Sequence, residues 1–205
     1  MTREEKVAAL AALAEQHIKT CRACILHAQR RQAVPGEGDP CAQLVFVGEG
    51  PGEEEDRTGR PFVGRAGQLL DKMIAAMGLR REQVYICNVV KCRPPGNRTP
   101  EPAERVTCMP YLVRQLQIIA PKVIVALGNP AMQTLLDTRE GITRMRGNWQ
   151  KLGPIGEGLA GIPVMPTFHP AFILRSYNED TRGKVWSDLQ KVMELLGLRK
   201  PGKKG

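Results

Sequence analysis

The chain has 205 residues and a net charge of +9, from 30 Lys and Arg against 21 Asp and Glu. That length fits one compact domain with a sizeable core, and no apolar run approaches the roughly 20 residues of a membrane helix. The basic excess points to a polyanionic partner, nucleic acid first, although solubility alone accounts for it as well.

The charged N-terminus lacks the apolar stretch of a secretory signal, so a cytosolic protein is expected. Thr2-Arg3-Glu4-Glu5 is a capping-box pattern and predicts an Ala/Leu-rich helix to about His17. Residues 21–38 read as loop. Residues 43–47 (QLVFV) predict a buried strand running into Gly48-Glu49-Gly50-Pro51-Gly52. Residues 67–78 predict a helix with Leu69, Leu70, Met73, Ile74 and Met77 on one face. A second strand covers 84–90. Thr99-Pro100 pairs an N-cap with a proline at the first helical position, opening a helix to about Ile119. A third strand covers 122–127, and Asn129 is placed to cap a helix through Leu136. A weaker fourth strand, 162–166, leads into Thr167-Phe168-His169-Pro170, and a last helix covers about 184–196. Residues 199–205 form a basic tail expected to be disordered, which leaves 1–198 as a single domain.

Strands alternate with helices throughout, which predicts an α/β fold with helices on both faces of the sheet. In such sheets ligands sit beyond the carboxyl ends of the strands. Glu49, Asn88 and His169 fall there, at the ends of strands one, two and four.

Each has a bland reading beside the chemical one. The Gly/Pro-rich stretch 48–67 can let backbone approach a ligand, or can be a surface loop whose acids Glu53 to Asp56 cap a helix or form a solvated turn. Phe62 is an aromatic in a chain with 4% aromatics, suited to stacking on a flat base or to plugging the core. The Asn88 amide can read a base edge with donor and acceptor together, or can simply end a strand. His169 can donate to a developing anion, or can be satisfied by backbone. Phe172, Ile173 and Leu174 can wedge into a base stack with Arg175 on phosphate, or form one turn of a core-facing helix.

Six cysteines are present. Cys21-x-x-Cys24 supplies two ligand positions, and Cys92 and Cys108 complete a four-thiolate set that suits zinc or an iron–sulfur cluster alike. Cys41 and Cys87 read as small residues in or beside strands.

Together these residues resemble the thermostable-type, family 4 uracil-DNA glycosylases of the iron–sulfur kind. The match runs from Cys21 to about Trp186 and is strongest in GEGPGEEEDRTGRPFVGRAGQLL (48–70), VYICNVVKCRPPGNRTP (84–100) and TFHPAFILR (167–175). The resemblance implies a three-layer αβα sandwich around a four-stranded parallel sheet. It implies a structural 4Fe-4S cluster on Cys21, Cys24, Cys92 and Cys108. It implies hydrolysis of the deoxyuridine N-glycosidic bond in single- or double-stranded DNA, releasing free uracil. The enzyme would be a monomer in the prokaryotic cytoplasm, at the nucleoid. Gly48, Glu49 and Gly50 would line the uracil pocket, Phe62 would stack on the base, and Asn88 would pair with N3–H and O4. His169 would face O2, and Glu55 would sit near C5 and exclude thymine. Phe172, Leu174 and Arg175 would lie on a loop pressing into DNA. Glu49 would position the water, because Gly50 stands where family 1 enzymes place an aspartate. Residues 92–100 lack the histidine with which one relative traps the sugar, so ordinary turnover is expected.

Two rivals remain at this level. One is a non-catalytic, metal-stapled nucleic-acid binder, which would need none of Glu49, Asn88 and His169. The other is a phosphoesterase holding Mg²⁺ on Glu53 to Asp56.

Overall fold

A computed structural model describes residues 1–176 and 178–198; the basic tail lies outside them. Six strands form one sheet: β1 (Glu37–Gly38), β2 (Leu44–Gly48), β3 (Tyr85–Asn88), β4 (Val123–Leu127), β5 (Gln150–Lys151) and β6 (Pro163–Thr167). Their order is β1-β3-β2-β4-β6-β5. The four central strands are parallel, as expected, and β1 and β5 add short antiparallel edges not predicted from sequence. Two-residue edges carry too little alternation to stand out from a turn.

β2 and β4 are buried at every position because helices cover both faces. The period of two sorts their side chains. Val45, Val47, Ile124 and Ala126 join one core with Leu112, Leu116 and Met132. Leu44, Phe46, Val123 and Val125 join the other with Leu70, Ile74, Leu189 and Val192.

The helices are α1 (Arg3–Ala12), α2 (Glu53–Thr58), α3 (Arg65–Ala76), α4 (Pro102–Ile119), α5 (Asn129–Leu136), α6 (Ile142–Met145), α7 (Pro170–Arg175) and α8 (Glu179–Leu195). The capping box at Thr2 and Glu5 forms, and α1 runs on into a π-helical turn, Leu13–Ile18. α4 starts later than Thr99-Pro100 suggests. Each proline holds its predecessor extended, so the second, Pro102, takes the first helical position. The Glu104 carboxylate then accepts from Glu101 N–H at 2.8 Å. α8 starts earlier than expected, at an Asn178 cap whose side chain accepts from Thr181 N–H.

Two stretches for which the sequence left both loop and helix open are short helices. The acidic run 53–56 is the start of α2, with Glu55 and Asp56 buried. Residues 170–175 are α7, whose N-cap is His169.

Register sets up the site. Gly48 pairs with Asn88 and Leu127 with Thr167. The carboxyl ends of all four parallel strands are therefore level, and the residues that follow them converge on one edge of the sheet.

Candidate active site

A cleft of about 570 Å³ opens at that edge, within the usual size of a small-molecule site. Its lining includes Glu49, Gly50, Phe62, Asn88, His169 and Arg175. Four loops that are distant in sequence thus meet where the alternation of strands placed them.

Gly48 lets the pocket close. A Cβ there would lie 2.4 Å from the Phe62 ring and 2.5 Å from Asn88 Oδ1, so no side chain fits between them. Beyond Gly48, pairing continues: Val89 N–H and Val90 N–H donate to the carbonyls of Gly48 and Glu49. The Glu49 backbone is fixed by these bonds.

Asn88 is 1% exposed and its Oδ1 has no hydrogen-bond partner among the described residues. Buried polar groups are rarely left unpaired, and an orphan acceptor costs about 1–3 kcal/mol. A strand-ending turn residue would have spent that oxygen locally. This one stays unpaired at the cleft wall.

Phe62 is 5% exposed with φ of 51°, a left-handed conformation for a bulky residue. Its ring lies 5.6 Å from the His169 ring. His169 sits at the N-cap of α7, where Nδ1 accepts from Ala171 N–H at 3.0 Å. With Nδ1 an acceptor, the neutral ring carries its proton on Nε2. Burial and then the Arg175 guanidinium push the imidazole down to about 4, with Glu55 opposing. The ring is thus a neutral donor at physiological pH. Gly128, at the end of β4, has φ of 86°, and a Cβ there would stand 2.9 Å from His169 Cβ.

Burial pushes the Glu49 carboxyl above the ordinary carboxylate range, against the Thr99 hydroxyl bonded to it and the nearby charges of Arg105 and Arg175. Thr99 therefore serves the cleft rather than capping a helix. Its role, and Arg105's, escaped sequence reading; the only sign was the polar NRTP stretch between prolines.

The acidic run divides its partners. Glu53 faces Arg93, Glu54 pairs with Arg57, and both Asp56 oxygens accept from Arg31 N–H. Glu55 lines the cleft, but its carboxylate is occupied by the N–H groups of Gly52, Val63 and Gly64. It ties the two arms of the 48–67 loop together. Such divergent acids form no cation cradle, which removes the basis for the phosphoesterase reading.

The wedge residues stand on α7, not on a loop. Ile173 is in the core, Leu174 is half-buried, Arg175 is exposed, and Phe172 is 38% exposed and packed against Phe168, ring centroids 4.9 Å apart and tilted by 39°. Of these, Phe172 and Arg175 are the exposed side chains at the rim, with Leu174 partly accessible.

Cys21, Cys24, Cys92 and Cys108 are brought close enough that their charges act on one another, and none is in a disulfide. Three of the sulfurs accept N–H bonds: Cys92 from Arg30 at 2.8 Å, Cys108 from Lys91 N–H at 3.3 Å and Cys21 from Ala23 N–H at 3.5 Å. Donors to sulfur are characteristic support for thiolate ligands. Among the described residues no three His, Cys, Asp or Glu side chains converge as closely as one bound ion requires. Cys87 is buried in β3, whereas Cys41 is exposed. Lys91, 1% exposed, bridges this region to the cleft by donating to the Asn88 carbonyl at 2.8 Å and to Gln115 at 2.6 Å.

No helix among the described residues is long and apolar enough to cross a membrane. Comparison with known proteins matches residues 35–190 to the Uracil DNA glycosylase superfamily. A type-4 uracil-DNA glycosylase of Thermotoga maritima is 50% identical over 95% of this chain and 97% of its own length. One from Archaeoglobus fulgidus is 45% identical over 91% of this chain and 93% of its own. A type-5 enzyme of Mycobacterium leprae is 36% identical over 67% of each. With matches of this extent spanning both the cleft and the cysteine-bearing segments, the chain belongs to the uracil DNA glycosylase superfamily, in its type-4 branch.

Proposed function

We propose that the cleft holds a deoxyuridine flipped out of DNA and hydrolyses its N-glycosidic bond, releasing uracil and leaving an abasic site for base excision repair. The observation that carries this is the orphan Asn88 Oδ1 in a pocket walled by Phe62 and His169. Uracil presents an N3–H donor beside the O4 acceptor, which an amide satisfies bidentately. Phe62 stacks on the base, and Gly48, Glu49 and Gly50 line the pocket.

Extrusion costs a few kcal/mol of unstacking and unpairing. Bond cleavage then places negative charge on uracil O2 and positive charge on the sugar. The Nε2–H of neutral His169 donates to O2 without transferring its proton. Glu49 orients the attacking water and offsets the sugar charge, held by Thr99. Glu55 fixes the loop that carries Phe62, and any exclusion of thymine at C5 follows from that fixed wall. Phe172, Leu174 and Arg175 support the opened DNA from α7, with Arg175 on phosphate.

Cys21, Cys24, Cys92 and Cys108 would hold a 4Fe-4S cluster, a structural clip between the N-terminal segment and the stretch after β3. Residues 1–198 work as one domain, as a monomer in the cytoplasm, on single- or double-stranded DNA at the nucleoid.

The test is incubation with uracil-, thymine- and hypoxanthine-containing oligonucleotides in excess chelator, reading abasic product. Uracil excision alone is expected. No product from any uracil substrate would sink the proposal, as would full activity in Asn88→Ala and His169→Ala variants, which is what a non-catalytic binder predicts.

A further inference from the structure

We infer that Arg81 is a positioning residue of the base pocket, holding Phe62 in its left-handed conformation from behind the loop. Arg81 sits in the 3-10 turn Arg81–Gln83 between α3 and β3, outside the cleft lining. Its guanidinium reaches both carbonyls of the Pro61-Phe62 turn: Nη1 donates to Phe62 O at 3.1 Å, and Nη2 donates to Pro61 O. Two carboxylates aim it. Nε donates to Glu37 on β1 at 2.8 Å, and Nη1 to Asp71 on α3 at 2.7 Å.

A bulky residue at positive φ persists only where its surroundings over-determine it. Here the determinants are visible. A Cβ at Gly67 would lie 1.9 Å from Phe62 O, so α3 presses on that carbonyl from one side. Arg81 bonds the same carbonyl from another. The ring is then fixed against Gly48 and the His169 ring. Only a planar fork with five donors can serve two carbonyls and two carboxylates at once, so lysine is no substitute. Arg81 is 15% exposed at its side chain, so these bonds are partly shielded from solvent.

The inference rests on the reading of Phe62 as the stacking wall for uracil. It is tested on the full-length, cluster-loaded protein by a double-mutant cycle of Arg81→Met and Phe62→Leu, with kcat/KM on a uracil oligonucleotide and inhibition by free uracil as readouts. Arg81→Met should lower kcat/KM about tenfold and weaken uracil inhibition by a similar factor. In the Phe62→Leu background the same change should cost less than about twofold, because Arg81 acts through the ring already removed. Arg81→Lys should behave like Arg81→Met. An equal loss in both backgrounds, or unchanged uracil inhibition, overturns the inference, since general loosening of the fold would produce additive losses. Should Arg81→Met not fold, Asp71→Ala, which removes a half-exposed anchor of Arg81, is carried through the same cycle with the same criteria. Absence of uracil excision by the unaltered protein would instead overturn the functional reading itself.

Discussion

The Phe62 and His169 rings stand 5.6 Å apart and tilted by 32°, although 106 residues of chain separate them. One comes from a glycine-rich loop after β2 and the other from the cap of α7 after β6. Their meeting defines a slot whose walls differ in chemistry: an apolar ring on one side and a neutral imidazole on the other. Asn88 closes the slot with an acceptor that the fold leaves unpaired. In the proposed reading, stacking, hydrogen-bond reading and charge stabilisation would reach one flat base from three independent elements.

Asn88 should separate stability from activity. Its Oδ1 is buried without a partner, so Asn88→Ala removes an unsatisfied acceptor, with only a small side chain lost. Thermal unfolding is expected to shift by no more than about the 1 kcal/mol of an ordinary substitution. Release of uracil should fall about 10²-fold or more, since the base loses its paired reader. A large drop in melting temperature would show that Asn88 is a structural strand end.

His169→Ala should cut the single-turnover rate about 10²–10³-fold, the scale of losing one preorganised donor. The imidazole also leaves a mark on stability. Its folded-state value, about 4, lies below the ordinary 6.5, so the unfolded chain takes up the proton first on acidification. Its contribution is fully present above about 6.5 and is lost as pH falls toward 4. Denaturant titrations at pH 7 and pH 4.5 should therefore show a smaller acid loss in His169→Asn than in the parent protein. Equal losses would show that the ring is protonated freely in the folded state.

The four parallel strands and the positions of Glu49, Asn88 and His169 at their ends were legible because long apolar runs and strand-end glycines carry strong local signals. Phe62 was legible as an oddity of composition. What was not legible depends on contacts made far along the chain. Thr99 looked like a cap because Thr-Pro is a local helix-start pattern, but a second proline two residues later takes over the start. The bonding of Glu55 was not legible because its partners are the backbone N–H groups of Gly52, Val63 and Gly64, which leave no trace in sequence. Arg105 and Gly128 act on Glu49 and His169 across the fold. The 170–175 segment shows the same limit: its apolar residues divide between core and rim only once α7 is laid against Phe168.

The cysteines should respond as a set. Replacing Cys108, which is buried on α4, by serine should remove iron and the visible absorbance and lower the unfolding temperature markedly, because metal binding is folding free energy for such a segment. Replacing the exposed Cys41 by serine should change neither. Native protein should be brown and should retain iron at a ratio of about four per chain, as a single cubane cluster on four cysteines requires. A colourless protein loaded with zinc would refute the cluster while leaving base excision intact.

Glu49 should set the acid limb of activity. Burial raises its carboxyl above the ordinary glutamate value of 4.5, while His169 titrates only near 4. On acidification Glu49 is therefore the first of the two to change charge, and a protonated carboxyl can no longer orient water or face a cationic sugar. The single-turnover rate should fall below a midpoint above 4.5 in the parent protein, and that fall should vanish in Glu49→Gln, whose rate is low and flat. Stability moves the other way. A folded-state value above the unfolded one means that the unfolded chain ionises first as pH rises, so the ionised form burdens the fold at neutral pH and above. Glu49→Gln should thus melt higher than the parent at pH 8 and the difference should shrink toward pH 4. A variant that is slower yet more stable is what a carboxylate held in place for chemistry predicts. If Glu49→Gln keeps the acid limb, the water is oriented elsewhere, and Thr99 and the backbone of Gly50 become the groups to examine.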